Sequence, residues 1–592
     1  MPGPASPSAA STGSTSTPAE ADAGRFLTDA EAKLLELFVE TSKVEWVYNT
    51  YITADTEYLS AKANARYLRE SAILAKSTVR WDSSRLAPAD ARKALLLRLG
   101  QPLAAPDDPK AAEELTGIVA DLQGQYAKGR YTPKGRTEPL DLEALSKILR
   151  ESRDPAVLLD VWTGWHSVAR PMKKGYVRFV ELGNQGARDA GFGDLGEMWR
   201  AKYDQTPEEF ARTVEGLWQQ VAPLYKELHA YVRRKLRETH GDTAVPKDGP
   251  VPAHLFGNMW AQSWEHLFPM LAPAGSDPGF DLTPILQARK TDPTQMVKFA
   301  ERFFVSLGLD PLPASFWERS MLARPRDRDV VCHASAWDVD GDNDLRIKMC
   351  IDITQEEFHV IHHELGHNYY QRAYRRQPYL FRDGAHDGFH EAVGDTISLS
   401  VTPEYLKAVG LIETVPGPEK DLGLLLHKAL EKVAFLPFAL MIDRWRWDVF
   451  SGKVGADDYT RSWSRLRQEY QGIVPPVPRT EEDFDPGAKF HVPANTPYMR
   501  YFLAAILQFQ FHRGLAKALG WSGPLHRCSI YGQKEAGKRL NAMLEMGASR
   551  PWPDALEAVT GERAMDGSAI REYFRPLEEW LKKENRSAPV GW

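Results

Sequence analysis

Cysteine is nearly missing from this chain, with three in 592 residues. That scarcity excludes a disulfide-built scaffold and a cysteine-ligated metal cluster. Long apolar runs are missing as well: no segment reaches the roughly 18 uninterrupted apolar residues of a membrane-spanning helix. Neither sign of charge dominates, because 74 basic residues face 80 acidic ones for a net charge of −6. A surface built to attract nucleic acid or an anionic membrane is thereby excluded. No internal repeat and no Pro/Gly-rich linker divides the sequence. What remains for chemistry is His, Asp, Glu, Tyr, Lys and Arg.

Residues 1–24, MPGPASPSAASTGSTSTPAEADAG, are rich in Pro, Ser, Thr and Ala. They read as a flexible low-complexity tail, and they contain no apolar stretch of the signal-peptide kind. An exported protein would then have had its leader removed already. From Phe26 onward the pattern is helical. AEAKLLELFVETSKVEWVYNTYI, PADARKALLLRLG and TPEEFARTVEGLWQQVAPLYKELHAYVRRKLRETHG carry apolar residues near a 3.6-residue period. Thr206, Pro207, Glu208 and Glu209 mark a helix start, and Gly241 a stop. The best strand signal is a hairpin, VVCHASAW and LRIKMCIDI, joined by DVDGDND. The fold expected is mainly α, with a small β element near the middle. Length alone would allow about four domains.

The hairpin loop alternates Asp338, Asp340, Asp342 and Asp344, as a calcium loop would. The EF-hand pattern fails, since Asn343 stands where Gly is required and no Glu closes the loop; an acidic turn is expected. With Asp338 to Asp344 as the loop, Trp337 would face Leu345 and Cys332 would lie opposite Cys350. A cross-strand disulfide fits that register, and so do two buried thiols.

The informative stretch is TQEEFHVIHHELGHNYYQRAYRRQP. Thr354 and Glu357 form a capping box and Pro378 marks the far side. Within it, His363, Glu364 and His367 make H-E-x-x-H. On a helix the two imidazoles share a face about 6 Å apart along the axis. They can grip one ion at roughly 2.1 Å each. Glu364 follows the first ligand, where it can reach a water without being a ligand. His359 lies about 12 Å along the axis from His367, too far to share the ion. A second helix is expected to begin near Asp387-Gly388, in DGFHEAVGDTISL, with Glu391 and Asp395 on one face. Glu391 would complete a His2Glu set that leaves a position for water, and Asp395 would orient a ligand imidazole. A helix with two solvated acids is the structural alternative.

At these residues the sequence resembles the angiotensin-converting enzyme (peptidyl-dipeptidase A) family, as a single-domain, bacterial-type homologue. WVYNTYITADTE, GNMWAQSW, VVCHASAWD, AFLPF, PPVPRTEEDFDPGAKFHVP, PYMRYF and SRPWP extend the resemblance over almost the whole chain beyond the tail. It implies a helical ellipsoid of two subdomains around a deep central channel, formed by residues 25–592 as one catalytic domain. It also implies a zinc peptidyl-dipeptidase that hydrolyses C-terminal dipeptides by Glu-promoted attack of zinc-bound water. His363, His367 and Glu391 would hold zinc. Glu364 would move the proton from water to the leaving amine. His491 and Tyr501 would stabilise the oxyanion. Thr496 and Pro497 are expected to start the helix that carries Tyr498 and Tyr501.

By the same resemblance, His333 and Ala334 hold the substrate backbone, and Gln262, Lys489 and Tyr498 clamp its terminal carboxylate. Phe435 lines the pocket for the last residue. Ala505 stands there in place of a usual Phe, implying a roomier pocket. A branch of the family that removes single residues replaces the clamp Gln by Arg and loses the Lys, whereas this chain keeps Gln262 and Lys489. Tyr203 and Arg500 match one chloride site. Trp463 and Arg467 match a second, weakened because His166 stands where Arg is usual. Cys332 and Cys350 match a family disulfide, and Cys528 lacks its partner because Ala516 occupies that place. Secretion or a periplasmic location, a monomer, peptide substrates with a free C-terminus, and no nucleic-acid partner complete the expectation. Rival readings are a zinc oligopeptidase, a single-residue carboxypeptidase and a non-catalytic peptide-binding protein.

Overall fold

The computed structural model describes residues 18–100, 103–273 and 281–592. Helix α1 (Pro18–Thr50) pairs with α2 (Ala54–Ser77). Residues 18–24, expected within the tail, are helical instead, and Ala23 is fully buried; residues 1–17 lie outside the described residues. The long helix α3 (Pro207–His240) begins as its sequence dictates. Thr206 accepts from the Glu209 N–H, the Glu209 side chain accepts in return, and Pro207 takes the first position. Two short sheets follow. Strands β1 (Val251–Pro252) and β4 (Ile473–Val474) pair in parallel, and β2 (Ser335–Asp338) pairs antiparallel with β3 (Leu345–Lys348). The site is built on four helices: α4 (Gln355–Tyr374), α5 (Asp387–Leu399), α6 (Asp421–Phe450) and α7 (Met499–Ala518).

The protein is mainly α, as expected, with only these two small sheets among the described residues. Buried side chains from Leu99 to Leu581 form one continuous core. Ala30, Leu34, Ala75 and Leu97 form a minor cluster of their own. One such core replaces the four domains that length would allow. No helix among the described residues is long and apolar enough to cross a membrane.

The hairpin register differs from the expected one by a residue. Asp338 faces Leu345, and Trp337 faces Arg346. The turn closes more tightly than a seven-residue loop because the Val339 N–H donates to the Asp344 carbonyl at 3.0 Å. Asp340 Oδ1 accepts from the backbone of Asp342, Asn343 and Asp344. Asp344 pairs with Arg319 and Arg346. The acidic turn spends its carboxylates on backbone and arginine. Cys332 and Cys350 lie beyond the ladder, and they are joined by a disulfide with Cα atoms 5.0 Å apart. Cys528 is a free, buried thiol.

Candidate metal centre and active site

Thr354 caps α4 by accepting from the Glu357 N–H. The helix then delivers His363 and His367 to one face, as their spacing requires. Helix α5 begins at Asp387 behind the His386 cap and presents Glu391 to the same point. His363 Nε2 lies 3.1 Å from His367 Nε2. Glu391 Oε2 lies 3.5 Å from the first nitrogen and 4.0 Å from the second. A tetrahedral ion with bonds near 2.1 Å sets its ligand atoms about 3.4 Å apart. The three atoms therefore fit one ion. The donor set, two imidazoles and a carboxylate, is that of a catalytic zinc site with an open position.

Electrostatics point the same way. Burial opposes charge on His363, but hydrogen bonds to Asp395 and Glu391 outweigh it and hold its pKa up at about 10. Burial and the neighbouring His363 push His367 down to about 4. Asp395 and Glu391 thus stabilise positive charge at His363, a charge that an ion held by the three ligand atoms would replace.

Both imidazoles are oriented from behind. Asp395 Oδ1 lies 3.2 Å from His363 Nδ1, and Gln508 on α7 donates to its other oxygen at 3.1 Å. Lys432 on α6 stands 3.8 Å from the same carboxylate. His367 Nδ1 meets His390 Nδ1 at 3.0 Å, and His390 Nε2 lies 3.3 Å from the Tyr374 hydroxyl. Asp395 was legible from its spacing to Glu391. His390 was missed, although its place directly before Glu391 offered a signal; Gln508 and Lys432 offered none. His359 turns to Ser398 Oγ at 3.3 Å, away from the ligand set.

Glu364 is buried beside these ligands, and burial followed by the charge of Glu391 raises its pKa against the pull of His363. The Ala336 backbone and His333 also act on it. His333 itself is exposed, with its Nδ1 2.8 Å from the Ala334 carbonyl oxygen. Both residues precede β2 rather than lying within a strand. Lys348 steadies their segment by donating to the Val331 and His333 carbonyls at 2.7 Å each.

The loop before α7 also departs from expectation. The helix begins at Met499, behind Tyr498, and neither Thr496 nor Pro497 starts it. Asp443 on α6 supplies the cap by accepting from the Tyr498 and Met499 N–H groups at 2.8 and 2.6 Å. Arg446 pairs with Asp443 and donates to the His491 carbonyl at 2.9 Å. These bonds set the Tyr498 ring 4.8 Å from Tyr501 and 4.6 Å from His491, centroid to centroid. Burial, Lys489, Arg446 and Arg500 push His491 down to about 3, so it is neutral at neutral pH. Its Nδ1 is buried without a hydrogen-bond partner among the described residues.

Lys489 donates to Gln262 Oε1 at 3.0 Å. Trp260, Tyr498 and Phe438 surround its ammonium, with ring centroids at 4.2, 5.5 and 5.7 Å. No carboxylate pairs with it among the described residues. Phe435 packs 6.1 Å from Tyr498, centroid to centroid, and Ala505 is buried on α7.

The expected chloride positions turn out differently. Tyr203 and Arg500 are not left free for an ion, because the Asp387 carboxylate lies between them. At the second position Trp463 and Arg467 are buried. Arg467 donates to Gln471 and to the Trp260 carbonyl. Burial holds His166 far below the usual imidazole range, so it adds no charge there. The Asp387 carboxylate thus occupies the first position, and at the second Arg467 forms no ion pair among the described residues.

A family model described as "Angiotensin-converting enzyme" matches residues 17–592. The chain is 41% identical over 580 residues to an angiotensin-converting enzyme of Mesocricetus auratus, covering 97% of this chain and 44% of that protein. It is also 41% identical over 580 residues to one from Theromyzon tessulatum, covering 96% of this chain and 93% of that protein. With one from Haematobia irritans exigua it shares 40% identity over 562 residues, with 92% and 90% covered. The chain thus spans less than half the length of the first of these relatives and nearly all of the other two.

Proposed function

The chain belongs to the angiotensin-converting enzyme family, and from that premise we propose that residues 25–592 form one catalytic domain, a zinc peptidyl-dipeptidase that releases C-terminal dipeptides from oligopeptides. His363, His367 and Glu391 would hold the zinc, which supplies Lewis-acid polarisation and a lowered pKa for water. Glu364 takes the proton from the attacking water and returns it to the leaving amine. Its raised pKa suits both directions of transfer. Neutral His491 and the Tyr501 hydroxyl donate to the oxyanion, a charge present only as the transition state is approached. His333 and Ala334 offer backbone groups to an extended peptide. Phe435 and Ala505 would line a roomy pocket for the last side chain.

The observation that carries this reading is Lys489. A buried ammonium with a neutral amide and aromatic rings around it, and no counter-ion, is a receptor for a carboxylate. Placed with Gln262 and Tyr498 beside the oxyanion donors, it supports a substrate fixed by its C-terminus, with the cut a short, set distance away. The zinc ligands and the clamp all come from one chain, so a monomer suffices. The Cys332–Cys350 disulfide supports an oxidising compartment, secreted or periplasmic.

Mass spectrometry of a defined decapeptide after incubation tests the proposal. Successive loss of C-terminal dipeptides is expected, with the Glu364→Ala variant slower by about 10²–10⁴-fold. An amidated peptide should be cut poorly. Single-residue loss would favour a carboxypeptidase, internal cuts an oligopeptidase, and binding without turnover a non-catalytic protein.

A further inference from the structure

Asp387 is the first residue of α5, one turn before Glu391. Its Oδ1 accepts from the Tyr203 hydroxyl at 3.1 Å, and its Oδ2 faces Arg500 Nη2 at 3.3 Å. Tyr203 is buried and stacked on Phe210, with ring centroids 4.0 Å apart. Arg500 sits in the first turn of α7, directly before Tyr501. One carboxylate therefore ties the helix that carries the metal-ligating glutamate to the helix that carries an oxyanion donor. Its negative charge also lies in the first turn of α5, where the helix dipole favours it.

The charge balance around Arg500 leaves no room for a second anion. Lys202, Asp383 and Tyr501 are the other ionisable groups on which Asp387 and Arg500 both act; Lys202 is half-buried and Asp383 exposed. Two cations thus face two carboxylates. A small anion entering this half-buried cluster would give up part of its hydration with no net positive charge to offset it. Arg500 Nε is buried without a hydrogen-bond partner among the described residues, but an anion approaching it would meet the field of both Asp387 and Asp383.

We propose that Asp387 is a built-in anion: its carboxylate holds Arg500 and Tyr203 as a bound halide otherwise would, so catalysis by this chain proceeds without chloride. Asp387 is a positioning residue that acts on Tyr501 through Arg500. The activity arm of the test rests on the peptidase reading above, and the crystallographic arm does not.

In the first arm, kcat/KM of the full-length holoenzyme on a free-acid peptide is compared in sodium chloride and in sodium methanesulfonate at equal ionic strength. The wild type should give the same value in both. Asp387→Ala should lose about tenfold or more in methanesulfonate and regain part of it in chloride, the range of an ordinary coupling between sites. In the second arm, crystals are soaked in bromide and anomalous maps computed. A bromide peak between Tyr203 and Arg500 is expected in Asp387→Ala and not in the wild type. Several-fold stimulation of the wild type by chloride, or a bromide peak beside its Arg500, would overturn the proposal. So would an Asp387→Ala variant that responds to chloride no more than the wild type. Failure to release dipeptides in any salt would count against the peptidase reading alone, and the bromide maps of the wild type would then decide this one.

Discussion

A Cβ added to Gly366 would lie 2.8 Å from the Cα of Gly394. Reciprocally, a Cβ on Gly394 would lie 2.7 Å from Nδ1 of His363. These two glycines let α4 and α5 cross at backbone contact. Glu391 reaches the two imidazoles only because the helices are that close.

Gly394→Ala should therefore open the metal site while leaving both helices intact. Zinc affinity is expected to fall about 10–100-fold, the usual cost of disturbing the partners of a metal ligand. Zinc content after gel filtration against a weak chelator, with circular dichroism as the control for folding, measures it. Full zinc retention would show that the crossing has slack.

Lys489 predicts a pH dependence with a definite sign. Burial pushes its ammonium down to about 7, so it is charged below that pH and neutral above it. KM for a free-acid peptide should rise by up to about tenfold per unit as pH climbs past 7, since binding must then take up a proton. An amidated peptide should show no such rise, and Lys489→Met should flatten it. Stability has its own slope. The unfolded lysine, at its ordinary 10.5, binds a proton that the folded one has released. Lys489 thus makes stability rise with pH between about 7 and 10.5, and Lys489→Met should remove that slope in urea titrations.

Asp443 bears on folding and on the site together. Its pair with Arg446 is buried, with side chains 1% and 0% exposed, and it caps α7 from a neighbouring helix. Asp443→Ala strands the arginine and should cost about 3–5 kcal/mol. The urea midpoint reads that loss. The loss of kcat should exceed the loss of substrate affinity, because Tyr501 follows the misplaced cap.

Reduction of Cys332–Cys350 should destabilise the chain by roughly 3 kcal/mol, the chain-entropy value for a loop near this size; their separation is 18 residues. Thermal unfolding of Cys332→Ser/Cys350→Ser against the wild type checks it. Cys528, whose thiol burial pushes up to about 12, should react with neither disulfide reagents nor alkylators in the folded protein.

Much of the site was legible because it is local. The i, i+4 spacing of His363 and His367 fixes their shared face, and the same spacing relates Glu391 to Asp395. Elsewhere the neighbours in space were strangers in sequence. Asp443 caps Met499 from 56 residues away, so the Thr496–Pro497 signal lost to a cap that only packing could bring. The hairpin shows a smaller failure of the same kind. Loop length implied one register, but side-chain bonds from Asp340 and the closure of Val339 on Asp344 shortened the turn.

The neighbour of Tyr203 and Arg500 was hidden for a related reason. Tyr203 and Arg500 carried the right residue types, but only the fold could show that Asp387 lies between them. The sequence by itself determined the mainly helical class, the shared face of His363 and His367, the place of Glu364 beside them and the absence of a cysteine scaffold, because periodicity and short spacings act within a few turns of chain. Tertiary structure alone decided that Lys489 has no counter-ion among the described residues, that His390 backs His367, and that the Asp387 carboxylate lies between Tyr203 and Arg500. Each of these depends on which charges share a low-dielectric interior. That is a property of helices packed against one another, and no single segment contains it.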